Sequence, residues 1–201
     1  MPRPEVFRPV RLVACLFLLA GCHVNSTPIA PAHVESPTDV IASPGQSDGA
    51  RLPFRGGYRT TGGALFAPGE PGSEPRCNVK GLLTITFGVE GKASHLGDFT
   101  GTASNCTAFP IPGPVAIEEG VFTISASNDD RLVGTYEGQQ DAVASDGSAV
   151  FHSMSEITGG TGRFARATGE FTEDGVIDFN TGQTSATFEG WIAYDASDRR
   201  Q

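Results

Sequence analysis

The chain has 201 residues, 26 of them glycine, with 23 acidic against 14 basic side chains and a net charge of −9. That excess of acid argues against a nucleic-acid ligand, because phosphate binding needs clustered Lys and Arg, and against electrostatic adhesion to anionic headgroups. Glycine at nearly twice the ordinary ~7%, without strong helical periodicity, points to short strands joined by tight turns.

The N-terminus carries Arg3, Arg8 and Arg11 ahead of an apolar run, Leu12 to Ala20 (LVACLFLLA). A spanning helix needs about 20 apolar residues, so this run is too short, and Pro2, Pro4 and Pro9 oppose a long helix. The order matches a secretory leader, and it closes on Leu19-Ala20-Gly21-Cys22. This stretch resembles the lipobox of bacterial lipoprotein precursors. The resemblance implies that residues 1–21 are a signal peptide cut before Cys22, with a diacylglycerol thioether on the Cys22 sulfur and an acylated new N-terminus. Two or more acyl chains anchor stably where one does not. The neighbour of Cys22 is His23 rather than the Asp associated with inner-membrane retention, which favours the outer membrane where the cell envelope has one. Loss of the leader removes three Arg and one Glu, taking the net charge from −9 to −11.

Residues 22–50 form the next block. Pro28, Pro31, Pro37 and Pro44 are scattered among Ser, Thr, Ala and Val, and no apolar period survives. This reads as a disordered tether, reaching roughly 30 Å as a coil and about 85 Å fully extended. His23 and His33 lie in it without an assigned role. Gly45-Gln46-Ser47-Asp48-Gly49 matches the G-x-S-x-G nucleophile elbow in letters only, because the elbow needs a strand before it and a helix after it.

Residues 51–201, about 150, suffice for one domain that buries roughly 68–70% of its chain surface. Period-two alternation marks strands: Leu83, Ile85 and Phe87; Phe122, Ile124 and Ala126; Phe188, Gly190, Ile192 and Tyr194. Further strands are expected near 54–65, 93–103, 131–138, 149–157 and 163–172, with Val176-Ile177-Asp178 a very short one. Breaks are expected at Glu90-Gly91, Asn128-Asp129-Asp130, Asp146-Gly147, Asp174-Gly175 and Asn180-Thr181-Gly182, all turn chemistries. About eight strands at regular spacing predict an all-β fold, an antiparallel sandwich or barrel. A closed barrel abolishes exposed edges, and at eight strands its interior is filled by side chains or holds one small ligand.

Two thiols remain in the domain, Cys77 and Cys106. In an exported chain they predict a disulfide, worth about 3–4 kcal/mol by loop closure. The alternatives are two free thiols or a metal site short of ligands.

The stretch from Ile157 to Gly169 contains Gly159, Gly160, Thr161, Gly162, Phe164, Ala167 and Gly169. It resembles the G-G-T-G-x-F-x-x-A-x-G signature of the dirigent and allene oxide cyclase-like barrels, and His95-Leu96-Gly97 followed by Phe99-Thr100 is similar to a segment of their uncharacterised bacterial members. The likeness runs from about residue 52 to 194 and implies an antiparallel β-barrel of about eight strands. The motif's role is structural: glycines for a tight connection, Phe164 as a plug, Ala167 and Gly169 to make room. The family's chemical residues lie outside the motif and do not map onto this chain. Gly160 to Ala165 also spells G-x-G-x-x-A, but a dinucleotide site needs a βαβ unit, and Arg163 to Phe171 reads as strand.

Candidate chemistry is sparse. His95 and His152 are the domain's histidines, and no spacing supplies the three or four ligands of a zinc site, so neither metal nor cofactor is expected. His152, Met154 and Glu156 share a strand face opposite Phe151, Ser153, Ser155 and Ile157. Turned inward, His152 and Glu156 would make an acid/base pair in an apolar pocket; turned outward they are solvated, and polarity favours outward. Glu137 and Glu189 share that ambiguity. Glu118-Glu119 and Asp129-Asp130 read as loop charges, and Trp191 as packing. With no complete catalytic set, the leading expectation is a non-catalytic barrel on a membrane anchor that binds a small apolar ligand or a protein partner. The alternatives are a cyclase or isomerase-like enzyme, by analogy with the family, and a purely structural envelope protein.

Overall fold

Alternating apolar residues build eight strands in a computed structural model that describes residues 50–108 and 113–195. They are β1 (Leu52–Phe66), β2 (Leu83–Ala93), β3 (Gly97–Thr107), β4 (Val115–Ala126), β5 (Arg131–Gln140), β6 (Ser148–Gly160), β7 (Thr168–Asp178) and β8 (Gln183–Ala193). Each pairs antiparallel with its neighbours in sequence, and β8 pairs back onto β1, with Leu52 opposite Ile192 and Arg59 opposite Ser185, to close a barrel. The leader, Cys22 and the tether lie outside the described residues.

Closure leaves every central strand row paired and one face of every strand turned inward. The burial of β6 alternates without a fault: Phe151, Ser153, Ser155 and Ile157 are buried, while His152, Met154 and Glu156 are exposed. Outward positions are mostly polar, among them Thr86, Thr100, Glu137, Thr172, Thr187 and Glu189. That is the reverse of a membrane-spanning barrel, whose outer band is apolar.

Bulges reset this alternation on several strands, β1 and β4 among them. The β1–β2 register shifts between Thr60 and Gly62, so Tyr58 and Leu65 both face the lumen. The β4–β5 register shifts between Ile117 and Gly120, where Glu119 takes a positive φ of 52°. An extra residue in one strand bends it locally.

The two ends of the barrel differ. At one end the β6–β7 connection folds over the opening, with a 3₁₀ turn at Gly162–Phe164. Phe164 is fully buried there, at 0% exposure, with its ring 5.0 Å from that of Tyr194. Leu96, Leu132, Ile157 and Ile192 complete a packed core. Gly162 has φ +57°, and a side chain there would strike the carboxylate of Asp130. Arg163 ties the plug to the next turns: it donates to the His95 carbonyl (2.8 Å) and faces Asp130 (3.3 Å). His95 in turn accepts the Tyr194 hydroxyl at Nδ1 (3.2 Å) and donates from Nε2 to the Pro53 carbonyl (3.1 Å).

The other end is framed by the β1–β2 connection and by the β5–β6 and β7–β8 turns. A short helix, α1 (Pro75–Lys80), lies in the first of these. Its Cys77 is disulfide-bonded to Cys106 of β3, across 29 residues. The expected pairing is therefore present, and it fastens α1 to the outer wall. Arg76 donates to Ser104 (2.7 Å), and Lys80 bridges Glu118 (3.0 Å) and Glu119 (2.8 Å).

Several local expectations need correcting. Glu118 and Glu119 belong to β4 and are ion-paired rather than loop charges. Glu90-Gly91 is interior to β2, and Asp174-Gly175 is interior to β7, so Val176–Asp178 is the end of one long strand rather than a separate one. Both glycines sit where a side chain would collide with a neighbouring ring, Phe99 for Gly91 and Phe151 for Gly175. They fit packing, not turning. The strand expected over 163–172 begins only at Thr168, because the 3₁₀ plug occupies its start.

Candidate functional site

The plugged end is floored by rings. Phe54, Phe171 and Phe188 meet one another with centroids 5.1–5.4 Å apart. Above that floor the lumen is hollow, with a cavity of about 380 Å³ that opens at the end opposite the plug. Its walls are mostly apolar, from Ile85, Phe87 and Val89 on β2 to Phe122 and Ile124 on β4. At the mouth stand Leu65 and Phe179, 50% and 41% exposed. Single exposed apolar residues are ordinary, but two at the rim of an apolar cavity extend its lining to the surface.

Polar side chains also line the cavity, among them Thr60, Asn105, Gln140 and Thr184, and they include one carboxylate cluster. Glu173 follows Phe171 on the inward face of β7, one step above the floor. Its Oε2 accepts hydrogen bonds from the Tyr58 hydroxyl (3.0 Å) and the Ser153 hydroxyl (3.2 Å). Its Oε1 accepts one from Ser155 (3.2 Å). Register explains the convergence: Ser153 lies directly opposite Glu173 across β6–β7, and Tyr58 reaches over Ala186 of β8. Nearby, the Tyr136 hydroxyl donates to Asn105 Oδ1 (3.2 Å).

Burial pushes the Glu173 carboxyl above the ordinary carboxylate range, and the three donated hydrogen bonds only partly oppose it. Burial raises Tyr58 and Tyr136 as well, with the Glu173 charge adding to both. Both phenols therefore stay protonated and act as donors. Among the described residues no Arg, Lys or His forms an ion pair with Glu173.

The pocket candidates His152 and Glu156 stand on the opposite face of the wall. Both are exposed, and His152 Nδ1 pairs with Asp174 Oδ1 at 2.5 Å. They do not meet the cavity; their strand neighbours Ser153 and Ser155 supply its polar groups instead. Glu137 and Glu189 also point outward, Glu189 toward Arg55 (3.3 Å). Trp191 is outside the lumen, with the Arg51 guanidinium 4.0 Å above its ring. The glycine-rich motif residues Gly159, Gly160, Thr161, Gly162, Phe164, Ala167 and Gly169 gather at the plug, on the far side of the floor from the cavity. Among the described residues no group of three or more His, Cys, Asp or Glu is placed to hold a metal ion.

Sequence reasoning missed Glu173 because it ended the strand at Thr172. Phe171, Glu173 and Gly175 do continue the period-two series of Gly169, and that continuation was the available signal.

No family model matches the sequence. No curated protein matches it either. Solved structures similar to it include the pterocarpan synthase dirigent protein PsPTS1, at 13% identity over 74% of this chain and 98% of that one with a TM-score of 0.46, and the pterocarpan synthase dirigent protein GePTS1, at 13% identity over 81% and 100% with a TM-score of 0.42. The barrel assignment rests on the strand pairing of this chain itself.

Proposed function

We propose that this chain is an exported lipoprotein, held in the bacterial cell envelope through Cys22, whose barrel binds one small, largely apolar ligand in its open end. The observation that carries the binding reading is the hollow aromatic lumen with one convergent polar cluster and an apolar rim. Sites of this kind take their affinity from apolar burial and their orientation from a few polar groups. The chain enters the barrel at its plugged end, where β1 begins at Leu52.

Two experiments test this reading. The neutral fluorophore prodan should gain emission on titration with the mature protein, and Ala103→Trp, which fills the lumen from β3, should abolish the gain. Unchanged binding by the filled variant would overturn the cavity reading. Separately, Cys22→Ser should move the protein from the membrane fraction to the soluble one; persistence with membranes would refute the anchor.

A second reading, proton transfer on the bound ligand by an isomerase-like enzyme, is favoured by one observation. Glu173 is a desolvated carboxyl in hydrogen-bond contact with Tyr58, the kind of group tuned for acid/base work. Mass spectrometry of a ligand recovered after incubation separates the two: a binder returns it unchanged.

A further inference from the structure

We infer that the cavity selects a lipophilic amine, a ligand with an aromatic or alicyclic body and one protonated nitrogen that pairs with the Glu173 carboxylate. This rests on the cavity reading above and names the chemistry of its occupant.

Three observations converge on a cation. The first is the state of the Glu173 hydrogen bonds. All three neighbours that touch it are hydroxyls, each placed to donate to the carboxylate when it is ionised. A carboxylate offers about four acceptor positions. Tyr58 and Ser153 fill those of Oε2, Ser155 takes one on Oε1, and one on Oε1 stays open to a ligand. Hydrogen bonds satisfy lone pairs but do not cancel charge. An internal charge without a counter-charge is costly, and the described residues provide Glu173 with no cationic partner. The cations of α1 at that end are committed elsewhere: Arg76 to Glu74 and Ser104, Lys80 to Glu118 and Glu119.

The second is the wall. Phe87, Phe99, Phe122, Phe151, Phe171 and Phe188 line the cavity. Ring faces attract a cation within about 6 Å of their centroids, so the wall that shelters an apolar body also tolerates a charged nitrogen. The third is the mouth. The β5–β6 turn carries Asp141 and Asp146, β7 ends in Asp178, and residues 141–147 and 178–183 contain no Lys, Arg or His. Hydrogen bonds from Ser148 hold the Asp146 carboxyl below its ordinary range, and those from Thr181 and Asn180 do the same for Asp178. These two turns therefore stay anionic, which raises the local concentration of cations beside them and repels carboxylates.

A neutral alcohol of the same shape fits the open acceptor without cancelling the charge, and this contrast supplies the test. Calorimetry on the mature full-length protein should compare 1-naphthylmethylamine, a cation at pH 7, with 1-naphthalenemethanol, its neutral counterpart. The amine should bind at least tenfold more tightly. In Glu173→Gln the amine should lose its preference over the alcohol, while prodan emission still rises on titration, which shows that the lumen is intact. Equal affinities in the unmodified protein would overturn the amine inference without needing any variant, and would leave the cavity reading standing. An amine preference that survives Glu173→Gln would overturn it too, by placing the selectivity at the mouth. Failure of the alcohol and of prodan alike would remove the cavity reading itself.

Discussion

The two ends of this barrel solve opposite problems with the same strands. At the plugged end, consecutive glycines let the β6–β7 connection turn inward, and Phe164 fills the opening with no exposed surface. At the open end the inward positions are no less apolar, but no connection among the described residues turns inward to meet them. The rings of Phe54, Phe171 and Phe188 form the boundary, with packed core below and cavity above. An eight-stranded barrel stands near the size at which side chains just fill the interior. Whether a given half is solid or hollow is then decided by one connection, not by strand number.

Emptying the plug gives the largest expected effect. Phe164→Ala should cost about 3–5 kcal/mol in chemical denaturation, as truncations of buried aromatics do, while the folded fraction still binds prodan. Loss of prodan binding at equal folded fraction would show that the two ends are coupled, and the division drawn here would fail. Next is the clamp outside the open end. Replacing both Cys77 and Cys106 by Ala should cost about 3–4 kcal/mol, from the loop entropy returned to the unfolded chain. A prodan affinity that also falls would make α1 part of the mouth rather than part of the wall.

Glu173 gives the open end a pH dependence that the plug lacks. Burial raises its carboxyl pKa in the folded state, so the folded protein holds that proton more tightly than the unfolded chain does. The stability it contributes is fully present below the ordinary Glu pKa of about 4.3 and is lost as pH rises through the raised value. Urea midpoints should therefore fall for the wild type relative to Glu173→Gln as pH increases over that range. The effect should be smaller than either truncation above. A difference between the two proteins that is flat with pH would mean that the carboxyl is not desolvated.

Legibility followed the same division. The alternation of Phe122, Ile124 and Ala126, or of Phe151, Ser153, Ser155 and Ile157, reads directly as an inward face, because a pleated strand sends alternate side chains to opposite sides. The Cys77–Cys106 bond was legible by counting thiols. What escaped were features in which a local signal had a distant cause. Asp174-Gly175 has turn chemistry, yet that glycine fits the ring of Phe151 on the neighbouring strand, and reading it as a turn hid Glu173. The helix α1 (PRCNVK) is too short to show a 3.6-residue period, and a disulfide and ion pairs hold it in place instead. Tyr58 and Leu65 face the same lumen only because a bulge shifts the phase of β1 between Thr60 and Gly62. No single-strand pattern contains that shift.

The smallest expected effect lies on the outer wall beside the open end. His152 and Asp174 are 62% and 70% exposed and form a short pair across β6–β7, one residue away in each strand from the inward Ser153 and Glu173. Pleating alone separates the two sets. Exposed ion pairs contribute roughly 0.2–1 kcal/mol, because water already solvates both partners and salt screens them. His152→Ala should therefore change stability by less than about 1 kcal/mol and leave prodan affinity untouched, whereas Ser153→Ala, its immediate neighbour, removes a donor from Glu173 and should alter ligand affinity. Equal effects of the two variants on binding would mean that the wall does not insulate its faces, and that the chemistry of the open end is not confined to the lumen.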